Sequence, residues 1–433
     1  MSSDDLLRRH KAVLPKWIAL YYNEPIELIS GSGRHVTASD GRTYLDFFGG
    51  ILTTMTGYAV PEVVQAIQSQ AAKMIHSSTL YLISPMIELA EKISSLSGIE
   101  DAKVFFTTSG TEANDAALLL ASGYRRSNQI LAVRNSYHGR SFSSLAVTGN
   151  GGYSPTSFSP LNVTYLQGGS RLRGPLAGLS DLEYTRRGVE DLEDILQTCT
   201  SGDVAALIAE PIQGVGGFSM PPDGYFGALK DVLDKRGILY ISDEVQTGWG
   251  RTGQHFWGYQ AHGIKPDIIT FAKGIGNGMA LAGVIAKPEI MDSLAASSIS
   301  TFGGTALATA AGNANLDYLL SNDLQANAQR TGKIIFDRIK GLVGEVPIVA
   351  DVRGKGLMIG VEICEPGSVV ASAALASAVA EEAKSKGLLV GKGGLLGNVL
   401  RVAPPLSVTE DEAVEGAELL ALAITEASKA AAS

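Results

Sequence analysis

The stretch Gly237–Gly278, GILYISDEVQTGWGRTGQHFWGYQAHGIKPDIITFAKGIGNG, decides the fold of this chain. Its first apolar run ends at Asp243, and a second run, residues 267–272, ends at Lys273. Uninterrupted runs of Ile, Leu, Val and Phe are typical of parallel strands that are covered on both faces. Because an open α/β sheet binds ligands beyond the carboxyl ends of its strands, we expect Asp243 and Lys273 to lie in one ligand site.

An acid and an amine at one edge of a sheet suit a cofactor that carries a carbonyl group. The amine of Lys273 could condense with that carbonyl, while the Asp243 carboxylate could keep a ring nitrogen of the cofactor protonated. Either residue alone could equally belong to a structural ion pair or be a solvated charge at a strand end. The rest of the chain therefore has to decide between a ligand site and two unrelated charges.

Length and composition predict a globular protein of more than one domain. The chain has 433 residues, of which 45% are hydrophobic and 18% are charged. It can form two or three domains, or one large domain with a smaller companion. Its formal net charge of −9 argues against a surface that neutralises nucleic-acid phosphates, so we expect no nucleic-acid partner.

Cysteine content and hydropathy bear on the compartment. The two cysteines, Cys199 and Cys364, cannot form a disulfide framework. Residues 1–16 mix charges with short apolar stretches, unlike a secretory signal, and no apolar run reaches the roughly eighteen residues that a membrane span needs. We expect a cytoplasmic protein without a membrane partner.

From about residue 100 the sequence alternates between strand-like and helix-like segments. Residues 103–108, 129–133 and 204–209 are apolar runs that predict, with the two runs above, five strands. This alternation predicts an α/β fold with a mostly parallel sheet. Residues 151–188 are rich in Gly, Ser and Pro, and we expect a long irregular surface loop there.

The same pattern suggests a division of the chain. Residues 56–312 would form a large cofactor-binding domain, and residues 313–433, where short strands and helices alternate, a smaller α+β domain. Residues 1–55 contain a helical arm and a predicted hairpin, and we expect them to form an N-terminal segment that packs with the small domain.

Two short motifs follow predicted strands and could contact a ligand. Ser109-Gly110-Thr111 lies between a strand and a helix, where backbone N–H groups and hydroxyls can hold a phosphate, but Ser and Thr are also common helix caps. Tyr137 and His138 follow the next strand. Tyr137 could stack on a planar ring or could be an ordinary core tyrosine.

Motifs for several common ligands are absent or incomplete. Residues 274–278, GIGNG, lack the G-x-G-x-x-G spacing of dinucleotide sites, and the chain contains no G-x-x-x-x-G-K-[ST] loop. The six histidines show no paired spacing for metal ligands. We predict neither a dinucleotide nor a metal.

Residues 243–253, DEVQTGWGRTG, and residues 266–274, PDIITFAKG, together resemble the signature of class III (ω-type) pyridoxal-phosphate aminotransferases. The resemblance extends over residues 40–405, and in detail it is strongest to mitochondrial-type alanine–glyoxylate aminotransferases and their ethanolamine-phosphate lyase relatives. It implies a fold-type I enzyme that binds pyridoxal 5'-phosphate (PLP). Such an enzyme moves an amino group from a small amine or amino acid, including ω-amino compounds, to a 2-oxo acid in a ping-pong reaction.

The resemblance also implies which residues bind the cofactor. Lys273 would attach the cofactor covalently, and Asp243 would pair with the ring nitrogen. Thr301 matches a threonine that reaches the phosphate from the neighbouring subunit, which implies a homodimer with shared active sites and leaves a tetramer open. The remaining implied contacts are Gln246 for the ring hydroxyl, Val245 and Tyr137 for the ring faces, His138 next to Tyr137, and Ser109, Gly110 and Thr111 for the phosphate.

Four residues are implied in substrate recognition. Arg401 matches the arginine that binds a substrate carboxylate, and Glu210 the glutamate that pairs with it when no such carboxylate is present. Ile51 stands where dialkylglycine decarboxylases carry a glutamine, which counts against that chemistry. Arg140 occupies the position of an arginine in 4-aminobutyrate and acetylornithine aminotransferases, which use 2-oxoglutarate.

The sequence leaves the acceptor and the reaction type open. Arg401 alone would suit pyruvate or glyoxylate, whereas Arg401 and Arg140 together could bind both carboxylates of 2-oxoglutarate. Arg140 could also be a charge that only anchors its loop. The same fold could serve a phospho-lyase that acts on an amino-alcohol phosphate, or a non-catalytic binding protein. Lys273 together with Asp243 counts against the non-catalytic protein.

Overall fold

A seven-stranded sheet forms the centre of the protein in the computed structural model, which describes residues 3–432. The strand Ala282–Ala286 is antiparallel to both of its neighbours, and the remaining neighbouring strands are parallel. The five predicted strands are present, and the prediction of a mostly parallel sheet is confirmed. In spatial order the strands are Lys103–Thr107, Ala282–Ala286, Ile268–Phe271, Leu239–Asp243, Ala206–Ala209, Gln129–Val133 and Asn162–Leu166.

The strands in the middle of this sheet are buried along their whole length. Every residue of Gln129–Val133, Ala206–Ala209, Leu239–Asp243 and Ile268–Phe271 is buried. Helices on both faces exclude water from them, which explains why their sequences are continuous apolar runs without polar alternation.

The predicted irregular loop at residues 151–188 is wrong in part. Residues 162–166 form the edge strand Asn162–Leu166, which pairs in parallel with Gln129–Val133. An edge strand has one strand neighbour and needs fewer apolar residues, so it was not recognised as a strand. The helix Asp181–Thr198 also begins inside this segment, at the N-cap Ser180, whose hydroxyl accepts the Glu183 N–H at 3.3 Å.

Thirteen α-helices surround the sheets in residues 3–432, and short 3₁₀ helices lie at Gly151–Tyr153, Gly258–His262 and Lys273–Gly276. None of the described helices is long and apolar enough to cross a membrane. The α-helices are Ser3–Val13, Gly49–Leu52, Pro61–Ala71, Ser84–Leu96, Gly110–Arg125, Phe142–Ala146, Asp181–Thr198, Tyr225–Asp234, Pro288–Met291, Ala306–Ser321, Leu324–Lys340, Ala373–Ser385 and Glu410–Ala432.

Two smaller sheets flank the central one. The C-terminal sheet is antiparallel, and the N-terminal sheet takes its fourth strand, Leu388–Leu389, from the C-terminal part of the chain. Spatial order is Val349–Lys355, Met358–Ile363, Val399–Val402 and Gly391–Gly393 in the first, and Leu28–Ser32, His35–Ala38, Thr43–Asp46 and Leu388–Leu389 in the second.

The N-terminal segment lies close to the C-terminal helix. Phe47 is fully buried, and a Cβ added to Gly416 would lie 2.1 Å from its ring, so the helix Glu410–Ala432 needs glycine there. The boundaries at residues 55 and 312 remain predictions. The second of them falls inside the helix Ala306–Ser321, and a division there would cut that helix.

Candidate active site

Asp243 and Lys273 lie at the same edge of the central sheet. Asp243 is the last residue of its strand and is in register with Thr270 of the neighbouring parallel strand, three residues before Lys273. Lys273 has a φ of 47°, in the left-handed region that residues other than glycine rarely adopt. Such strained backbone is common at functional sites, where the surrounding structure must maintain it.

The carboxylate of Asp243 is buried and has a fixed orientation. Asn114 Nδ2 donates to its Oδ2 at 2.8 Å, His138 Nδ1 lies 2.7 Å from the same oxygen, and the Val245 N–H donates to Oδ1 at 3.1 Å. Asn114 is itself oriented, because its Oδ1 accepts the hydroxyl of Thr270 at 2.7 Å. These partners leave an anion with a defined position at the sheet edge.

The amine of Lys273 lies in a site that disfavours its charge. Burial lowers its pKa below the usual range, because an ammonium group loses its hydration there. The carboxylates of Asp243 and Glu210 oppose this shift, and the positive charge of Arg401 adds to it. Lys273 therefore has a larger neutral fraction near pH 7 than an exposed lysine has, and the neutral amine is the form that acts as nucleophile and base.

The helix Gly110–Arg125 begins next to these two residues. Ser109 is its N-cap and accepts a backbone N–H three residues further along at 3.2 Å. A Cβ at Gly110 would lie 3.3 Å from the methyl groups of Val245 and 3.5 Å from Cβ of Ala272, so the helix start packs against both strand ends. Unpaired N–H groups and the helix dipole make this point attractive to an anion.

A family comparison agrees with this arrangement. The family model for aminotransferase class-III matches residues 21–424. The chain belongs to the class-III aminotransferases. It is therefore a PLP-dependent enzyme that transfers an amino group, and the class, cofactor and activity that its sequence implies are confirmed.

Individual class-III aminotransferases and their relatives are similar over almost the whole chain. The chain is 38% identical to "alanine–glyoxylate aminotransferase 2 homolog 2, mitochondrial" of Arabidopsis thaliana, over 95% of this chain and 85% of that protein. An (S)-enantioselective ω-transaminase from Thermomicrobium roseum has a TM-score of 0.91 at 33% identity and 99% coverage of both chains. A phospholyase from Arthrobacter, solved with phosphoethanolamine, has a TM-score of 0.88 at 32% identity, covering 97% of this chain and 99% of that one.

The residues at the sheet edge of this aminotransferase fit PLP. Gln246 Oε1 and His138 Nε2 are buried and have no hydrogen-bond partner within residues 3–432. Buried polar atoms without partners are costly, so a polar ligand would stabilise them. The helix start suits a phosphate, Asp243 a protonated ring nitrogen, Lys273 an aldehyde and the Gln246 oxygen a ring hydroxyl, which together account for the polar groups of PLP.

The Tyr137–Gly139 loop lies over the helix start. A Cβ at Gly139, whose φ is 144°, would lie 2.8 Å from Thr111 Oγ1, so the loop can approach this closely only with glycine there. The Tyr137 ring is half-buried and packs edge-on against Tyr153 at 5.0 Å between centroids. Val245 is also half-buried, and it packs against Gly110.

Glu210 and Arg401 do not form the ion pair that the resemblance implies. The two oxygens of Glu210 accept the N–H groups of Tyr137 and Gly214 at 2.9 and 2.8 Å. Arg401 donates to the carbonyls of Lys392 at 3.0 Å and Gly214 at 3.3 Å. No ion pair joins the two side chains in the described part of the chain. Backbone groups satisfy both residues in this conformation, and the roles of Glu210 and Arg401 in substrate recognition stay predictions.

The charge state of Glu210 also disfavours an ion pair with Arg401. Burial raises its pKa to about 7, Asp243 adds to the rise, and His138 opposes it. A carboxyl group with this pKa is partly protonated near neutral pH and attracts a guanidinium less strongly.

Arg140 lies beside the site and has no carboxylate partner within residues 3–432. Its side chain is exposed, and its guanidinium carbon lies 5.4 Å from the ring centroid of Trp17. It is close enough to Tyr137 for its charge to offset part of the rise that burial causes in the pKa of that phenol. The guanidinium is thus available to a ligand.

Ile51 and Thr301 lie on segments that this chain leaves exposed. Ile51 has a φ of 66° and follows Gly50, also in the left-handed region, in the short kinked segment Gly49–Leu52. Thr301 is exposed and follows Ser300, whose hydroxyl donates to Glu112 Oε1 at 2.6 Å. The segment before Thr301 is therefore tied to the first turn of the helix Gly110–Arg125.

Asn114 is the functional residue that sequence reasoning missed. An asparagine inside an Ala- and Leu-rich helix looks like a solvated position, but it lies four residues after Gly110 and so on the same helix face. That face packs on the two strand ends. The spacing was the available signal for a partner of Asp243.

Proposed function

We propose that this aminotransferase uses a 2-oxo dicarboxylate such as 2-oxoglutarate as its preferred acceptor, with an α- or ω-amino compound as donor. The observation that supports this choice is Arg140, an exposed guanidinium beside Tyr137 without a carboxylate partner in the described residues. Arg401 offers a second guanidinium, which donates to backbone carbonyls and forms no ion pair with a carboxylate of residues 3–432. Two such groups can bind the two ends of a dicarboxylate.

Lys273 and Asp243 would carry the chemistry. PLP, when bound, supplies an aldehyde that condenses with amines and a ring that withdraws electrons from the reacting carbon. The Nζ of Lys273 would take the proton from the donor carbon and deliver it to the aldehyde-derived carbon of the cofactor, and in the second half-reaction it would move a proton from that carbon to the acceptor carbon. The buried Asp243 carboxylate, oriented by Asn114 and His138, would keep the ring nitrogen protonated and so stabilise negative charge that develops in the ring.

The remaining site residues would hold the cofactor. The first turn of the helix Gly110–Arg125 would bind the phosphate of the cofactor. The buried Oε1 of Gln246 would accept a hydrogen bond from the ring hydroxyl of the cofactor. We assign the phosphate to Ser109, Gly110 and Thr111, the hydroxyl to Gln246, and the ring faces to Val245 and Tyr137.

The acceptor is tested by Arg140→Ala. We expect the KM for 2-oxoglutarate to rise about ten- to hundredfold, since a charge-assisted hydrogen-bonded pair contributes about 1.5–3 kcal/mol. The KM for pyruvate should stay unchanged. Arg134→Ala is the matched control, because Arg134 is also exposed near a strand end but donates to Gln167 at 3.3 Å. If Arg140→Ala raises the KM equally for both acceptors, or for neither, Arg140 does not bind the acceptor. Pyruvate or glyoxylate would then be the proposed acceptor.

The phospholyase similarity gives the second candidate. A lyase would release inorganic phosphate from phosphoethanolamine without any 2-oxo acid, whereas a transaminase stops after one amino-group transfer per site when only a donor is present. Phosphate release over many turnovers without an acceptor would replace the proposed reaction by elimination.

A homodimer with shared sites is part of the proposal. Leu82 is 92% exposed and Phe302 61% exposed, and the Phe302 ring packs on His76 at 5.1 Å. Residues 74–82 and 299–302 thus present apolar side chains side by side, next to Thr301. An exposed apolar patch of this kind is typical of a subunit interface.

We also propose a cytoplasmic location. Both cysteines are free, as in a reducing compartment: Cys199 is exposed and Cys364 is buried. Three relatives are named as mitochondrial proteins, so cell fractionation decides the question.

A further inference from the structure

Trp17 contacts the Arg140 guanidinium, the cation on which the proposed choice of acceptor depends. Its indole ring lies under the Arg140 guanidinium, with 5.4 Å from the guanidinium carbon to the ring centroid. We propose that Trp17 is a positioning residue that sets the preference for an acceptor with a second carboxylate. This inference rests on the proposed role of Arg140.

The segment that carries Trp17 is anchored at its other end. The Tyr21 hydroxyl donates to the Lys392 carbonyl at 2.9 Å, and the Asn23 N–H donates to Glu381 Oε1 at 2.6 Å. Residues 17–23 therefore run from the C-terminal part of the chain to Arg140, which follows a strand of the central sheet. We call residues 17–23 the strap.

The strap is also linked to the second guanidinium of the site, that of Arg401, by way of the Phe48 ring. Tyr21 stacks on Phe48, with 5.6 Å between ring centroids, and the Arg401 guanidinium carbon lies 4.9 Å from the centroid of Phe48. Trp17 and Tyr21 are four residues apart, which limits their separation to about 14 Å. One short segment thus contributes to the positions of both Arg140 and Arg401.

An indole ring is better suited than a carboxylate to hold the Arg140 guanidinium in position for a substrate. A cation–π contact restricts the guanidinium without using any of its five N–H donors, because the ring face has no hydrogen-bond acceptor of the ordinary kind. A carboxylate would neutralise the charge and occupy the donors that a substrate needs. Without Trp17, an exposed arginine would sample many rotamers and lose that freedom when the acceptor binds.

The charge surroundings are consistent with this role. Within residues 3–432, Arg140 has no ion-pair partner, and Trp17 is its one ring contact. Trp17 is 69% exposed, so its ring contributes little to the core and can be replaced without a large cavity. Truncating Trp17 should therefore change the position of Arg140 and not the fold.

The test compares Trp17→Ala and Trp17→Phe in the holoenzyme with 2-oxoglutarate and with pyruvate. We expect Trp17→Ala to raise the KM for 2-oxoglutarate about two- to fivefold, which corresponds to the ~0.5–1 kcal/mol of an exposed cation–π contact. The kcat values and the KM for pyruvate should not change. Trp17→Phe should recover most of the loss, because it keeps an aromatic face. Val13→Ala, an exposed residue of the preceding helix, is the control and should have no effect.

A double-mutant comparison separates this inference from the proposed function. In an Arg140→Ala background, Trp17→Ala should cause no further rise in the KM for 2-oxoglutarate. If Arg140→Ala is selective for 2-oxoglutarate but Trp17→Ala changes nothing, the inference is wrong and the proposed function stands. If Trp17→Ala raises the KM for both acceptors, or raises the KM for 2-oxoglutarate even without Arg140, the strap has a general role in closing the site. Either result would also overturn the inference. If Arg140→Ala itself is unselective, the proposed function is wrong, and the inference about Trp17 is wrong with it.

Discussion

At the residue scale, the candidate site contains a buried amine, that of Lys273, which destabilises the folded chain. The pKa of Lys273 is lowered by burial, so protonation is less favourable in the folded chain than in the unfolded one. A lysine of this kind has no effect on stability above its unfolded pKa and lowers the free energy of unfolding as the pH falls below that value. At pH 7 the folded protein therefore bears this cost.

Replacing Lys273 by alanine should separate stability from activity. We expect Lys273→Ala to abolish multiple turnover, while the cofactor-free protein melts at the same temperature as the wild type or higher. Thermal unfolding and a transamination assay on the same preparation measure both. Lys265→Ala, an exposed lysine just before the same strand, is the control and should keep full activity. Substantial turnover by Lys273→Ala would remove it from its proposed role.

The sequence was enough to place a polar residue at the sheet edge where that residue ended an apolar run. Asp243 and Lys273 could be identified because each lies at the carboxyl end of a buried strand. Asn114 could not, because its importance comes from a hydrogen bond across 129 residues of sequence to Asp243. Trp17 is a similar case, since nothing in its neighbourhood along the chain indicates contact with Arg140.

At the element scale, the sequence left open whether Ser109 is a helix cap or a phosphate ligand, and the two roles are compatible. The side chain caps Gly110–Arg125 by accepting a backbone N–H, while the unpaired N–H groups of the first turn remain free for a phosphate. The apolar runs that were predicted as strands agree with the observed strands to within a few residues. The edge strand Asn162–Leu166 was missed, because a partly exposed strand in a Gly- and Pro-rich region has no continuous apolar run.

Ser109→Ala and Ser109→Gly distinguish capping from cofactor binding. Loss of the cap should cost about 1 kcal/mol of unfolding free energy in the alanine variant and a few tenths in the glycine variant. If the hydroxyl also binds the phosphate, both variants should weaken PLP binding to a similar extent. Denaturant unfolding and a PLP titration followed by absorbance measure the two effects. Ser180→Ala, which removes the N-cap of Asp181–Thr198, should lower stability and leave PLP affinity intact. Unchanged affinity in both Ser109 variants would leave Ser109 as a cap only.

At the scale of the whole molecule, Thr301 and the apolar patch lie on an exposed surface of the chain. Thr301 is exposed, and Phe302 next to it presents most of its ring to solvent. The segment is tied to the first turn of the helix Gly110–Arg125 through Ser300 and Glu112. Sequence reasoning could suggest a shared site only through family resemblance, because subunit contacts leave no periodic pattern in one chain.

Mixing two defective chains tests whether the site is shared between subunits. Lys273→Ala homodimers should be inactive, and Thr301→Ala homodimers should be poorly active at low PLP concentration, because each lacks one group in both sites. In a mixed dimer, one site combines an intact Lys273 with the partner subunit's Thr301, and the other site lacks both. Equal mixing produces half mixed dimers with one intact site each, so activity should recover to about a quarter of the wild-type value. Subunit exchange is verified with differently tagged chains, and wild type mixed with Lys273→Ala calibrates the scale. If tagged mixed dimers form and activity stays at the level of Thr301→Ala alone, each chain builds its phosphate site without its partner.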